Sequence, residues 1–180
     1  MDKNDIEIRL LQITDLYLDA LQDFNRYQIT NRVMYKENDE YMYKDNYFIE
    51  YWDELKKEQV IQSLIKCICT GGIVVGAFKN NKLIGFANVE NKFFGKYREY
   101  LELPYIHVSY EFRNYGIGRQ LFHLCCEKAR EKGAKKLYIG AHPSEQTQIF
   151  YKSIGCTLAV EVNKEIYERE PLDIQLEFVL

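Results

Sequence analysis

One stretch of the sequence constrains the fold more than any other: a strand pattern that leads into two glycines and an amphipathic helix. Leu101 to Ser109 is rich in β-branched and aromatic residues, and a helical apolar pattern begins at Gly116 and ends at Gly133. Glycines at such a turn let the main chain approach a ligand, and the first helical turn leaves unpaired N–H groups. This pattern predicts a phosphate or pyrophosphate site at the start of the helix.

The glycines allow two other interpretations. They can simply cap the helix, which stays open on spacing alone. They can also belong to a dinucleotide-binding turn, but that turn requires Gly-x-Gly-x-x-Gly, and here Gly116-x-Gly118 is followed by Leu121. The dinucleotide interpretation is therefore disfavoured.

The other patterns predict an α/β fold with a mixed sheet, in the order β-α-α-β-β-β-α-β-α-β-β. Strands are expected at 6–10, 73–78, 83–89, 101–109, 136–140, 157–162 and 174–179, and helices at 16–27, 53–69, 116–132 and 145–154. The segment Met34–Tyr51 has no clean period and is expected to be loop and short helix. No linker or repeat interrupts the pattern, so residues 1–180 are expected to form a single domain.

Composition excludes several classes of protein. With 47% hydrophobic residues and a formal net charge of −3, wholesale disorder is disfavoured. No apolar stretch approaches the roughly 20 residues of a membrane span, and a pI near 5.7 without a basic run argues against nucleic-acid binding. Five cysteines without a CxxC pair, beside three histidines, predict no metal site. The polar start Met1–Asp5 suggests no signal peptide, so a cytoplasmic location is expected.

The glycine stretch resembles the acetyl-CoA-binding motif of the GNAT (Gcn5-related) N-acetyltransferases. Arg113-x-x-Gly116-x-Gly118 follows a strand that ends in Val108, and Ile149–Cys156 is similar to a second motif of that family. Both motifs are in register, and the element order resembles the family from about Ile6 to Leu180. The resemblance therefore covers nearly the whole chain and implies a GNAT-like fold.

The resemblance implies an acetyl-CoA site with no metal. Main-chain amides of the glycine stretch would hold the pyrophosphate, the Val108 N–H would polarise the thioester carbonyl, and Tyr151 would act as general acid beside the sulfur. Ser144 stands where the family often has Asn, so we expect a weakened contact there. The expected CoA-binding residues are Ile106, Val108, Arg113, Asn114, Tyr115, Gly116, Ile117, Gly118, Arg119, Ser144 and Tyr151.

The proton of the attacking amine needs an acceptor, because an amine with a pKa near 10.4 is protonated at neutral pH. Glu102, which aligns with an acidic position of the family that often serves as base, and His107 are the candidates. Their odd spacing places them on opposite faces of a regular strand, so only one is expected to face the cleft unless a bulge intervenes. His107 can instead be a core histidine, and Tyr151 can pack beside Phe150.

The resemblance places the acceptor between the first two helices and the C-terminal strands, and the first of these regions is Tyr27–Glu58. Within it, Tyr35–Glu58 has eight acidic residues, four lysines and interleaved tyrosines. This pattern favours a small cationic amine, although a solvated acidic surface explains it equally well. The expected function is the transfer of an acetyl group from acetyl-CoA to a primary amine of a small molecule. The alternative is a non-catalytic acyl-CoA sensor or a structural protein. The last strand could also pair across a homodimer.

Overall fold

The computed structural model describes residues 6–180. Ten strands and four helices follow one another as β1 Glu7–Leu10, β2 Gln28–Glu37, β3 Glu40–Glu50, α1 Glu54–Cys69, β4 Ile73–Lys79, β5 Lys82–Val89, β6 Tyr100–Glu102, β7 Tyr105–Val108, α2 Ile117–Glu131, β8 Lys136–Ala141, α3 Glu145–Ser153, β9 Thr157–Leu158, α4 Lys164–Arg169 and β10 Ile174–Val179. The polar start Met1–Asp5, from which the absence of a signal peptide was predicted, lies outside the described residues.

The strands form two four-stranded sheets and one hairpin. The first sheet has the order β1-β4-β5-β7, the second has the order β6-β8-β10-β9, and β2 pairs with β3. The first sheet is antiparallel throughout, whereas β6 runs parallel to β8. Together with helices on both faces, these sheets confirm the mixed α/β class.

The strand predicted over residues 101–109 is divided between the two sheets. The Leu103 N–H donates to the Tyr138 carbonyl at 2.9 Å, which continues the pairing of β6 with β8. Pro104 follows, and its ring nitrogen has no hydrogen to donate. From Tyr105 the chain pairs with β5 instead. A gap therefore opens between β7 and the carboxyl end of β8.

Apolar cores on the two faces fix the helices that flank this gap. On one face α2 buries Leu121, Phe122 and Cys125. On the other face α1 buries Ile61 and Leu64. Each helix presents its apolar stripe to the sheet, as the helical spacing predicted.

The prediction of a helix over residues 16–27 is wrong. The segment forms isolated turns, in which N–H groups bond carbonyls only three residues back, such as Phe24 to Leu21 at 2.9 Å. Leu16, Leu21 and Phe24 are buried individually against the cluster under α1. Their helical spacing therefore reflects burial from successive turns and not a continuous helix.

The prediction of loop and short helix over Met34–Tyr51 is also wrong, because β2 and β3 form a long hairpin there. Asn38 and Asp39 take positive φ at its turn, as Asn80 and Asn81 do between β4 and β5. Paired residues of this kind indicate a two-residue hairpin turn. The adjacent Asn residues that predicted the β4–β5 hairpin therefore have a counterpart in Asn38 and Asp39 at the turn of the β2–β3 hairpin.

The C-terminal region differs from its prediction in two places. The strand expected at 157–162 ends at Leu158, and the unpredicted helix α4 follows, where the Asn163 side chain caps the Ile166 N–H. β9 pairs with Leu176 and Glu177 of β10. β9 therefore covers part of the edge that we expected to pair across a homodimer, and the homodimer stays a prediction.

Candidate active site

The edge of β7 that faces the gap has free main-chain groups. The Ser109 N–H donates to the Ile84 carbonyl at 2.9 Å, so Val108 opposite Gly85 is in a pair that exchanges no hydrogen bonds. The N–H groups of Val108 and Ile106 therefore point away from β5. Since β7 ends its sheet, these N–H groups face the gap. Such an edge can accept an extended ligand as an added strand.

The start of α2 adds a second group of free donors. The first helical hydrogen bond runs from the Gln120 N–H to the Gly116 carbonyl, and no side chain caps this end. The N–H groups of residues 117–119 therefore have no helical partner. Gly116 has a φ of 81°, and a Cβ built there would meet nothing within 4 Å. The Gly116 side of the helix start is therefore open.

Packing at Gly118 joins the two sequence motifs. A Cβ at this position would lie 3.3 Å from Phe150 of α3 and 3.8 Å from Val108 of β7. The ring of Tyr151 lies 5.2 Å from that of Phe150, and Tyr151 is 5% exposed. The strand edge and the helix start thus meet at Phe150, which precedes Tyr151 in α3.

Tyr151 remains protonated in this environment. Burial raises its pKa, and the nearby Cys156 and Asp173 raise it further. Its hydroxyl makes no hydrogen bond within residues 6–180, and it is not among the fully buried atoms without a partner. The Tyr151 hydroxyl is therefore available as a donor to a group in the gap.

Several expected CoA-binding side chains are already engaged within the protein. Arg113 donates through Nε to the Val108 carbonyl at 3.0 Å, and Arg119 donates through Nη2 to the Ser153 carbonyl at 3.2 Å. Ser144 is 1% exposed, caps α3 and accepts from Gln28 at 3.1 Å. These side chains hold the motif together, so the free donors of the region belong mainly to the main chain.

The remaining expected residues of the loop differ in exposure. Asn114 and Tyr115 are exposed, and Asn114 has a φ of 65°. The Ile117 side chain is 1% exposed and packs in the core, where its Cγ2 lies close to Gly85. Ile117 can therefore offer a ligand only its main chain.

Glu102 and His107 lie on the same face of the chain, so the alternation of a regular strand does not hold between them and the alternative of an interrupted strand applies. Tyr105 lines a cavity of about 400 Å³ together with Glu102, and its ring lies 5.9 Å from that of His107. Within β7, residues 105 and 107 share a face. The break at Pro104 resets the alternation between Glu102 and these residues, which is the change that a bulge would produce.

The two candidate bases have very different surroundings. Burial raises the pKa of Glu102, and its ion pair with Arg169 partly opposes this rise. His107 packs 4.8 Å from the Trp52 ring. Burial keeps the pKa of His107 well below its usual value, with Arg26 adding to the effect, so the imidazole is neutral.

Asp173, Arg26 and His142 of the cleft were missed by sequence reasoning, whereas Glu50 belongs to the acidic segment that it singled out. Asp173 precedes β10, and its Oδ2 lies 3.7 Å from where a Gly140 Cβ would be. Burial raises the pKa of Asp173 to about 7, with Glu170 and Glu50 raising it further. Glu50 lies with its Oε2 3.4 Å from His142 Nε2, and burial lowers the pKa of Arg26 to about 10. These residues are far apart in sequence, so only the fold brings them together.

The acidic segment around the hairpin contributes less to the cleft than its composition suggested. Seven of its eight acidic residues are exposed, and Glu50 is the exception. Asp39 pairs with Lys36 at 2.9 Å, and Tyr35 lies 4.9 Å from the Lys44 ammonium. The charges near the hairpin turn are thus balanced on its own surface, which fits the interpretation of a solvated face.

Among residues 6–180, no three potential metal ligands cluster together. In the same part of the chain, no helix combines the length and apolar character needed to span a membrane.

The chain matches one protein family and many solved structures. The Acetyltransferase (GNAT) family matches residues 27–156. No relative was found among curated protein sequences. A putative streptothricin acetyltransferase from Bacillus anthracis str. Ames, in complex with acetyl coenzyme A, is 20% identical with a TM-score of 0.72, over 97% of this chain and 98% of that one.

Two further structures cover the chain to a similar extent. Nourseothricin acetyltransferase is 18% identical with a TM-score of 0.69, over 97% of this chain and 98% of that one. The PaiA N-acetyltransferase of Thermoplasma acidophilum, in complex with coenzyme A, is 17% identical with a TM-score of 0.60, over 97% and 99%. These three structures share the fold of this chain, and the family match extends over most of the chain. The chain belongs to the GNAT family of acetyltransferases.

Proposed function

We propose that this acetyltransferase moves the acetyl group of acetyl-CoA to a primary amine of a small molecule. One observation carries the proposal: the free edge of β7 and the uncapped start of α2 meet at Gly118, beside Tyr151. An extended arm with amides fits the strand edge, and a pyrophosphate fits the helix start. CoA has both parts.

The donor site is built from the chain's own main-chain groups. The N–H groups of residues 117–119 would bind the pyrophosphate, while Ile106 and Val108 would bind the amides of the pantetheine arm. Acetyl-CoA supplies an activated acyl group as a thioester. The Val108 N–H would polarise its carbonyl, and Arg113 supports this orientation by holding the Val108 carbonyl at 3.0 Å.

The amine loses a proton as its nitrogen bonds to the thioester carbon and the carbon–sulfur bond breaks. Asp173 is the group best suited to take that proton, directly or through water. It makes no ion pair within residues 6–180, it lies close enough to Tyr151 to raise the pKa of that residue, and its own pKa is about 7. A base works best when its pKa lies near the operating pH.

Glu102 and His107, the candidates of the sequence analysis, are less suited. Glu102 is engaged by Arg169, which stabilises the carboxylate. His107 is neutral and able to accept a proton, but Arg26 and Arg113 oppose the imidazolium that would result. Glu102 and His107 are both included in the pH–rate profiles below, because both face the acceptor side of the sheet.

The leaving thiolate gains its proton or a hydrogen bond from Tyr151. A thiolate of pKa near 8.5 is less basic than the Tyr151 phenolate, whose pKa is raised by burial. Tyr151 therefore stabilises the departing sulfur mainly as a hydrogen-bond donor. Help of this kind is worth about 10²–10⁴-fold in rate.

The acceptor enters between the hairpin, β7 and the start of β10. Glu50 and Asp173 both lie there, and their negative charges favour an ammonium group. Two solved structures with related folds are named for nourseothricin and streptothricin. We therefore include these two compounds among the acceptors to test, beside simple primary amines.

The test is a panel of amines with acetyl-CoA, in which release of free thiol is followed. Thiol release that requires an added amine supports the transferase. Tight CoA binding without turnover on any acceptor supports the acyl-CoA sensor instead. The base is then assigned by pH–rate profiles: Asp173→Asn should abolish a limb near pH 7, whereas Glu102→Gln and His107→Gln should retain it.

A further inference from the structure

Arg26 is a buried cation whose hydrogen bonds are not made. Its side chain precedes β2 and is 9% exposed. Nε and Nη1 are fully buried and have no hydrogen-bond partner within residues 6–180. A buried guanidinium without partners is costly, since it loses its hydration and gains nothing in return. Such a group is stabilised when an anion completes its hydrogen bonds.

The guanidinium can be reached from the acceptor side of the cleft. The carbon at its centre lies 5.7 Å from the Trp52 ring, which supports one face of the group. Its third nitrogen, Nη2, makes no hydrogen bond within residues 6–180 and is not among the fully buried atoms. The guanidinium therefore keeps one end open to the cleft.

Arg26 does not belong to the site proposed for the CoA phosphates. Its charge helps to lower the pKa of His107, so the two side chains are close to each other. The His107 side chain lies on the face of β7 that packs with Trp52 and Phe86. Ile106 and Val108 point to the opposite face and pack against the core that contains α2. An anion bound by Arg26 would therefore lie on the acceptor side of the sheet.

A carboxylate of this chain lies in the same cleft without completing the pair. Glu50 is close enough to raise the pKa of Arg26, but it makes no ion pair with it. Glu50 Oε2 is itself buried and makes no hydrogen bond within residues 6–180, although it lies 3.4 Å from His142 Nε2. A cation and a carboxylate that both lack hydrogen bonds and face one space match a ligand that carries both charges.

Building on the proposed function, we infer that the acceptor carries a carboxylate beside its amine and that Arg26 binds this carboxylate. Glu50 would face the ammonium of the same molecule. One guanidinium neutralises a monoanion, and the negative charge of Glu50 disfavours a doubly charged phosphate at this position. The acceptor is then an amino acid or a molecule with an amino-acid-like end.

The test uses pairs of amines that differ only in the carboxylate: lysine and cadaverine, phenylalanine and phenethylamine, γ-aminobutyrate and propylamine. Trp52 is the single tryptophan of the chain, so its fluorescence reports binding beside Arg26. Titrations are made with CoA present, which requires no turnover. In at least one pair, the native protein should bind the carboxylate member about tenfold more tightly.

Arg26→Met, which keeps length and removes charge, should reduce this preference to about twofold or less, and Arg26→Lys should retain part of it. Arg32→Met is the matched control. Arg32 lies on β2, six residues after Arg26, its side chain is 46% exposed, and it pairs with Glu145 at the surface. This control should leave the preference unchanged.

Equal affinity within every pair, or a preference that persists in Arg26→Met, would overturn the inference. CoA titrations of both variants show whether the fold and the donor site are intact. The proposed function fails separately, if no amine of either kind releases thiol from acetyl-CoA. If amines are acetylated without any dependence on Arg26, the proposed function holds, and the inference that the acceptor carries a carboxylate is contradicted.

Discussion

The Leu103 N–H bonds the Tyr138 carbonyl at 2.9 Å, immediately before Pro104 directs the chain into the other sheet. This contact marks where β6 and β8 stop running together. Beyond it, β7 has Val108 and Ile106 with free donors on one edge. The site proposed for the donor is therefore a consequence of one proline and one change of strand partner.

Tyr151 should be needed for turnover and not for CoA binding. Because its hydroxyl would stabilise the leaving thiolate, Tyr151→Phe should lower kcat by about 10- to 1000-fold. The dissociation constant of CoA should change by less than about threefold, since the ring still packs beside Phe150. Steady-state kinetics and calorimetry check the two parts, and unchanged turnover would remove Tyr151 from the mechanism.

Gly116 should tolerate substitution only by residues that accept positive φ. Its φ is 81° and a Cβ there meets no other atom, so backbone strain alone decides the outcome. Gly116→Val should lower the free energy of unfolding by about 1–2 kcal/mol. Gly116→Asn should cost about half as much or less, since Asn adopts this region more readily. Urea denaturation measures both, and equal costs would contradict the role of φ.

Asp173 should make the protein less stable as the pH rises. Its pKa is about 7 in the folded state, whereas an unfolded Asp titrates near 3.9, so the folded state holds more protons between these values. Because a state that holds more protons is disfavoured as the pH rises, the free energy of unfolding should fall from about pH 4 to pH 7. Asp173→Asn removes this loss and should be more stable than the native protein at about pH 8, by about 1–3 kcal/mol.

The difference between Asp173→Asn and the native protein should shrink as the pH falls to about 3, which lies below the pKa of the Asp173 carboxyl in both the folded and the unfolded state. Asp45→Asn is the control, because the Asp45 side chain is 96% exposed. Denaturation across the pH range measures all three proteins. A difference that does not depend on pH would contradict the raised pKa of Asp173.

Glu177 should be a stabilising residue of the second sheet. It is 4% exposed and accepts from the Tyr100 hydroxyl at 2.5 Å and from Lys136 at 3.2 Å. Glu177→Ala would leave the buried Tyr100 hydroxyl without its acceptor, while Lys136 keeps Glu99 at 3.6 Å, and should cost about 1–3 kcal/mol of unfolding free energy. Glu168→Ala, which removes an exposed pair with Lys164, should cost at most about 1 kcal/mol. Similar costs for both would contradict this account.

Much of the fold followed from local patterns, and its failures have identifiable causes. The helix that buries Leu121 and Phe122 has a continuous apolar stripe, and its prediction is confirmed with a start one residue later. The hairpin turn at Asn80–Asn81 is also confirmed. Residues 16–27 imitate helical spacing because separate turns bury Leu16 and Leu21. The spacing of apolar residues indicates which of them are buried, and it does not by itself show that the main chain makes helical hydrogen bonds.

The candidate site was predictable only where the sequence places its parts together. The glycines of the loop and Tyr151 lie in recognisable motifs, and the structure brings those motifs into contact. Arg26, Glu50 and Asp173 lie at the ends of distant strands, and no spacing relates them. Their meeting depends on the hairpin and on β10, and the hairpin was the element predicted least well.

The most direct test of the donor site is amide hydrogen exchange, measured residue by residue with and without CoA. If the ligand joins the edge of β7 and the start of α2, exchange should slow at Ile106, Val108 and residues 117–119 by about tenfold or more. Distant strands such as β1 should exchange at unchanged rates. Protection that is absent from these amides, or that appears elsewhere on addition of CoA, would contradict the account.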